Sequence, residues 1–347
     1  MNVELIEEIA NAILYEGYML YPYRPSSVKN RQRWNFGVVY PRNYSEAQQG
    51  SDPWYTRTEC LVQGSAQTGM TVKVRFLQAI SRTVRDVQTS ATNSVESSEA
   101  KLSAAPAWQE GATRDAIVEA SFNQLVNASV NRTLNWPPSE VTEPLCDANG
   151  QLPQMIVRTQ ESISGRITLS ASRFNEQLYK VTLEVANEGS VADPGSARRD
   201  SALMRSLLSA HSILSLERGE FVSLLDTPEE LKEYAAQCKN VGTWPVLVGE
   251  QDQRDAVLSS PIILYDYPQI APESAGDLFD GTEIDEILAL RILTLTEAEK
   301  HEMRQGDERA RQILERTEAL PEEQFLKLHG VWRGMRPALE DQQEDRQ

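Results

Sequence analysis

Three stretches of alternating apolar and polar side chains constrain the fold of this chain most strongly. They are residues 72–76, 165–173 and 179–187. Alternation with a period of two places one face of a strand on a core and the other face in water. The second and third stretches are close in sequence and lie in opposite phase, which predicts a hairpin. Together they predict a β-rich, sandwich-like body.

Helical patterns lie on both sides of these strands. Residues 3–15 and 203–214 carry apolar side chains at helical spacing. Residues 227–238 begin with Thr-Pro-Glu-Glu, a strong helix start, and residues 282–285 and 296–299 begin two further helices. We therefore predict an α+β fold, with a β-sandwich-like body followed by a mixed and then helical C-terminal half.

Shorter patterns fill the remaining sequence. Residues 34–40, 244–248 and 262–267 have the composition of strands. Residues 87–103 are rich in Ser, Thr, Asn and Glu, which predicts a loop. Residues 112–128 are compatible with either a strand or a helix.

Four regions follow from these patterns. Residues 1–59 form an N-terminal helix and an extended aromatic and basic segment that packs on the body. Residues 60–193 form the β-rich domain, and residues 194–336 form an α+β region. Residues 337–347 are charged and amide-rich, which is typical of a frayed tail.

The net charge limits the class of partner. The 347 residues carry a formal charge of −17, which disfavours nucleic acid and anionic membranes because both require a surplus of cations. No stretch of about eighteen apolar residues predicts a membrane span, and the N-terminus lacks the pattern of a signal peptide. We therefore expect a cytoplasmic protein.

One segment departs from this acidic character, since no acidic residue lies between Glu16 and Glu46. Arginine and aromatic side chains are typical anchors of protein interfaces. The segment either contacts a partner or turns inward, where its cations would complement acids such as those at 277–286. Its candidate partner-binding residues are Tyr21, Tyr23, Arg24, Arg31, Arg33 and Trp34.

Histidine and cysteine patterns predict no metal centre and no cofactor. His301 begins a sequence like the HExxH zinc motif, but Gln305 stands where the second histidine is required. We interpret His211 as a core histidine on the apolar face of a helix. The cysteines lie far apart without a CxxC pair, and we interpret them as small buried apolar residues. They are Cys60, Cys146 and Cys238.

An acidic segment near residue 280 offers the weak alternative of a divalent cation bound by Asp277 and Asp280. Its spacing does not match a calcium-binding EF-hand loop. The same part of the chain supplies two further candidate partner-binding residues, Tyr267 and Phe279, because aromatic side chains suit interface anchors.

Three segments resemble a family of bacterial proteins encoded beside uptake-type nickel–iron hydrogenases. They are residues 13–24, which read ILYEGYMLYPYR, residues 260–273, which read SPIILYDYPQIAPE, and residues 277–288, which read DLFDGTEIDEIL. The resemblance implies an accessory role in hydrogenase assembly or maturation, and it implies no catalytic residue. The chain also lacks the His-rich or Cys-rich tracts expected of a nickel carrier.

We therefore expect a non-catalytic scaffold or chaperone that binds a hydrogenase subunit or maturation factor. Two alternatives stay open. One is a divalent-cation-dependent enzyme that uses Tyr265 and Asp266 together with Asp277 and Asp280. The other is a structural subunit of an unrelated large assembly.

Overall fold

The computed structural model describes residues 3–15, 24, 27, 30, 34–86, 108–145, 154–269, 285–305 and 308–319. The described residues up to Gln269 belong to one unit, and the last three helices belong to a second.

The strands all belong to the first unit, in which antiparallel sheets form the body. In chain order they are β1 (Tyr55–Gln63), β2 (Gly69–Asp86), β3 (Trp108–Ser121), β4 (Val130–Trp136), β5 (Ser139–Leu145), β6 (Gln154–Gln160), β7 (Ile163–Arg173), β8 (Leu178–Asn187), β9 (Leu208–Glu217), β10 (Glu220–Val222), β11 (Trp244–Leu247) and β12 (Ala256–Ser260).

The helices are short, apart from the first and the last. In chain order they are α1 (Val3–Leu14), α2 (Arg42–Ala47), α3 (Phe122–Asn127), α4 (Arg199–Leu203), α5 (Lys232–Ala235), which follows a 3₁₀ turn at Glu229–Leu231, α6 (Asp285–Leu293), α7 (Glu297–Gln305) and α8 (Glu308–Glu318). The described helices include none that is long and apolar enough to cross a bilayer.

Two sheets face each other in the first unit. One has five strands in the order β10-β1-β8-β7-β4. The other has seven, in the order β11-β12-β9-β2-β6-β5, with β3 along the far side of β2. Apolar side chains from both sheets interdigitate between them, including Phe76 and Tyr179, and Phe122 of α3 joins this core. The predicted α+β fold with a β-sandwich-like body is confirmed.

Helix α1 adds a third layer on the outer face of the seven-stranded sheet. Ile6, Ile9 and Ile13 pack there against Ile213 and Leu258. These apolar side chains recur every three or four residues, so they share one face of the helix. The helix predicted at residues 3–15 is therefore present, and its apolar face is buried.

The sandwich extends further along the chain than the sequence indicated. Strands β9 to β12 contribute to the same two sheets as β1 to β8, so the sheets do not end near residue 193. Strand β9 covers residues 208–214 of the segment 203–214, for which a helix was predicted, and that prediction is wrong. Nearly every residue of β9 is buried, and a strand buried on both faces loses the alternation that would identify it.

Two other predicted strands are irregular segments. Residues 34–40 form only an isolated bridge from Val39 to Leu207, and Trp34 has a φ of 61°, which is incompatible with a strand. Residues 262–267 have no regular secondary structure. The predicted helix at residues 227–238 is reduced to the 3₁₀ turn and α5.

Other local predictions are correct. Strands β7 and β8 form the predicted hairpin, and β11 matches residues 244–248. Residues 112–128 contain both alternatives, because β3 ends at Ser121, which caps α3 with Gln124 in a reciprocal capping box. Thr296 and Glu299 form the same kind of box at the start of α7.

Candidate functional site

The candidate site is an irregular segment that follows β12, residues 261–267, which we call the strap. Ile262 and Leu264 pack on the apolar cluster that α1 forms with the outer face of the seven-stranded sheet. Ile263, which lies between them, and Tyr265, which follows them, point outward. Ile263 is 72% exposed and Tyr265 is 88% exposed. The strap thus alternates like a strand while pairing with none along its length.

Hydrogen bonds fix the end of the strap to the sandwich. Asp266 accepts the backbone N–H of Leu247 at 2.8 Å through Oδ1 and the hydroxyl of Ser223 through Oδ2. Tyr267 donates its backbone N–H to the carbonyl of Leu247 at 2.8 Å and its hydroxyl to the carbonyl of Gln253 at 3.0 Å. Both residues therefore hold the strap in place.

These bonds give Tyr265 and Tyr267 opposite roles. Tyr267 has a φ of 54°, in the left-handed region, and its ring packs on the core between the sheets. Burial raises the pKa of its hydroxyl. The structure thus turns the sequence-predicted Tyr267 inward, while Tyr265 projects outward and is available to a partner.

Other large apolar side chains are exposed on the segments that form hydrogen bonds with the strap. Leu225 is 57% exposed and lies two residues after Ser223, and Trp244 is 43% exposed at the start of β11. Solvent-exposed aromatic and aliphatic groups held on an ordered backbone are typical of protein-binding surfaces. Sequence analysis missed Ile263 and Leu225, because no local pattern distinguishes an outward apolar residue from an inward one.

The described part of the N-terminal run turns inward. Trp34 is 5% exposed and donates its indole N–H to Oε1 of Gln109 at 2.8 Å. Its carbonyl accepts a hydrogen bond from Arg199 at 2.8 Å. Arg24 is half-buried, and its carbonyl accepts the side-chain amide of Asn30 at 3.1 Å. The other sequence-predicted residues lie outside the described ranges, namely Tyr21, Tyr23, Arg31, Arg33, Asp277, Phe279 and Asp280.

A charged cluster fastens α1 to the seven-stranded sheet. Glu7 accepts hydrogen bonds from Lys73 at 2.6 Å and from Arg75 at 2.7 Å, and Asp115 accepts one from Nε of Arg75 at 3.0 Å. Two cations and two anions balance each other within this cluster. Beside it lies a cavity of about 180 Å³ with mostly apolar walls that include Ile6, Ile117 and Ile213.

His211 lies on β9 opposite Arg75 and is 1% exposed. Its Nδ1 is 2.9 Å from the carbonyl of Ser209, which places the proton on Nδ1. Burial, reinforced by the charge of Arg75, lowers the pKa of His211 to about 4. His211 is therefore the neutral core histidine that the sequence predicted, although it lies on a strand and not on a helix.

The thiols of the two described cysteines both have raised pKa values. Cys60 is fully buried, which raises the pKa of its thiol, and burial raises the pKa of Cys238 to about 11. Both side chains therefore remain protonated thiols at neutral pH. Metal binding and nucleophilic attack instead require the thiolate. Within the described ranges, no group of three or more His, Cys, Asp or Glu side chains is arranged to hold a metal ion. Cys146 lies outside those ranges.

Comparison with known proteins adds no relative. No protein-family model matches the chain, and no curated protein matches it. The hydrogenase context therefore rests on the three segments quoted above.

Proposed function

We propose that the chain is a non-catalytic accessory protein that binds a protein partner through the exposed side of the strap. The observation that carries the proposal is Tyr265, which is 88% exposed although both adjacent residues, Leu264 and Asp266, are fixed to the sandwich. An aromatic side chain on a fixed backbone loses little conformational entropy when it becomes buried at an interface.

The partner we propose is a subunit or maturation factor of a nickel–iron hydrogenase, for which this chain serves as scaffold or chaperone in the cytoplasm. Support comes from the sequence resemblance, one segment of which, residues 260–273, contains the whole strap. The segment that carries the resemblance thus includes the most exposed aromatic side chain of the described surface.

The hydrogen bonds of Asp266 argue against the alternative of a divalent-cation enzyme. Both of its carboxylate oxygens accept hydrogen bonds from groups that hold the strap, Leu247 and Ser223. A metal at Asp266 would have to replace these bonds and release the strap. The geometry therefore favours a structural role for Asp266 over a role as a metal ligand.

The test is a double substitution, Ile263→Ser with Tyr265→Ser, in tagged protein that is co-expressed with uptake-type hydrogenase subunits. Because both side chains project into solvent, we expect the melting temperature to stay within about 2 °C of the unsubstituted protein. Loss of two interface anchors should lower recovery of the hydrogenase subunit by about tenfold or more. Recovery is measured by quantitative immunoblotting of the affinity-purified fraction.

Val126→Ser is the matched control, because it removes an exposed apolar side chain from α3 instead of from the strap. This variant should recover the partner normally. Full recovery by the folded strap variant would contradict the proposed binding surface. Failure of the unsubstituted protein to recover any hydrogenase subunit would contradict the proposed partner.

A further inference from the structure

Strand β2 is longer than β9. The second half of β2 therefore has different neighbours from the first half. Beyond Leu77 its neighbour on that side changes from β9 to β6, which pairs with it from Ile80 to Asp86. On the face that continues the core, polar side chains appear beyond Phe76, beside the apolar Ile80 and Val84. The polar members of this face are Gln78, Arg82, Glu110, Arg114, Arg158 and Gln160.

Arg114 is held on this face by two neutral amides. Its Nε donates to Oε1 of Gln78 at 2.8 Å, and its Nη2 donates to Oε1 of Gln160 at 3.0 Å. Each amide is itself oriented by its nitrogen, because Gln78 donates to the carbonyl of Glu161 at 2.7 Å and Gln160 donates to the carbonyl of Pro137 at 3.1 Å. The guanidinium is therefore positioned before any ligand arrives.

The charge of Arg114 is not balanced by a neighbouring acid. Among the described residues, its hydrogen bonds are those to Gln78 and Gln160, and it forms no ion pair. The neighbouring Arg158, in contrast, is paired with Glu110 at 2.7 Å and with Glu143 at 2.5 Å. Burial of the half-exposed Arg114 lowers its pKa, as expected where desolvation is not offset by an anion.

The bonds that Arg114 makes leave one part of the guanidinium unused. Among the described residues, the hydrogen bonds of Arg114 use Nε and one N–H of Nη2, which leaves the second N–H of Nη2 and both of Nη1. These two nitrogens form the end of the planar fork, which matches the two oxygens of a carboxylate. Phe76 lies directly opposite Arg114 in the register, and its ring packs edge-on against Trp136 with the ring centres 5.2 Å apart.

We propose that Arg114 binds a carboxylate that is not part of this chain. A carboxylate is favoured over phosphate because one guanidinium fork compensates a single negative charge. Glu110 and Glu143 are already paired with Arg158, so Arg114 offers a single unbalanced positive charge, and the charge of −17 on the whole chain disfavours a doubly charged ligand. This site is separate from the strap and does not depend on the function proposed for it.

The test follows the side-chain Nε–H signal of Arg114 by NMR while sodium acetate is added at constant ionic strength. The signal is assigned in the unsubstituted protein by through-bond correlation to the backbone of Arg114, and its absence in Arg114→Lys checks the assignment. Acetate should shift it saturably, whereas acetamide and sodium chloride should not. Arg114→Lys keeps the charge but removes the fork, so chemical shifts of neighbouring amides should report binding weakened about tenfold.

Arg132→Lys is the matched control, because it makes the same change at an exposed arginine on β4 that donates to the carbonyl of Ile117. Acetate binding should persist in this variant. N-acetylleucine, compared with its amide, distinguishes the source of the carboxylate. If N-acetylleucine binds more tightly than acetate, the ligand is a chain terminus or another carboxylate with an apolar group. If the two bind equally, the ligand is a small carboxylate.

Three results would overturn the proposal. The first is an Arg114 signal that does not shift saturably with either carboxylate. The second is a shift that chloride or acetamide reproduces. The third is binding of phosphate as tight as that of acetate. The titrations of the unsubstituted protein decide each of these, so the proposal remains testable even if a variant does not fold.

Discussion

Acidification from pH 6.5 to pH 4 should lower the free energy of unfolding by about 3 kcal/mol through His211 alone. The folded protein holds His211 neutral with a pKa lowered to about 4, while the unfolded chain protonates it near its ordinary value of 6.5. Between these values the unfolded state binds more protons. Stability is therefore complete above pH 6.5 and falls as the pH drops towards 4.

Urea unfolding at a series of pH values measures this dependence, with His211→Gln as the variant. Acidic side chains also titrate at the lower end of this range, so the difference between the two proteins isolates the histidine. The variant should have a flatter profile between pH 6.5 and 4. An NMR titration of the unsubstituted protein gives the imidazole pKa directly, and a pKa near 6.5 would contradict the prediction even if the variant does not fold.

Gly37→Ala should destabilise the protein by about 2–4 kcal/mol. Gly37 has a φ of 53°, which an alanine adopts only with strain. A Cβ at this position would also lie 2.4 Å from Cγ of Pro261, the first residue of the strap. Accommodating the methyl group therefore requires the strap to move, so partner recovery should fall together with the melting temperature.

Gly50→Ala separates the cost of backbone strain from the cost of the contact with Pro261. Gly50 has a similar φ of 73°, and a Cβ there would meet no atom within 4 Å. This control should lose only the backbone term of about 1 kcal/mol, which calorimetry can compare with the loss in Gly37→Ala. Equal losses in the two variants would show that the contact with Pro261 is unimportant.

The candidate site shows how far local sequence information reaches. The sequence identified Tyr267 as a candidate aromatic anchor, but the roles of Tyr267 and of the nearby Tyr265 depend on distant parts of the chain. Tyr267 turns inward because Gln253 and Leu247 accept its hydrogen bonds. Tyr265 turns outward because Asp266 is held by Ser223. None of these partners can be deduced from the spacing of residues in the segment.

Arg114 illustrates the same limit at the second proposed site. In the sequence it is one charged residue within a stretch that fits either a strand or a helix. Its significance comes from Gln78 on β2 and from Gln160 at the end of β6. A sequence pattern reports which residues share a face of one element, while an unbalanced, partly buried charge is a property of several elements together.

The sequence by itself determined the helix of residues 3–15, the strands of residues 72–76, 165–173 and 179–187, and the α+β class, because periodicity of apolar residues reflects which side of an element is buried. Only the tertiary structure decided that β9 is a strand, since its two faces are both covered and its alternation is lost. It also decided that Trp34 lies inside and Tyr265 outside. The direction of such a side chain depends on contacts between residues far apart in the chain, which local periodicity does not encode.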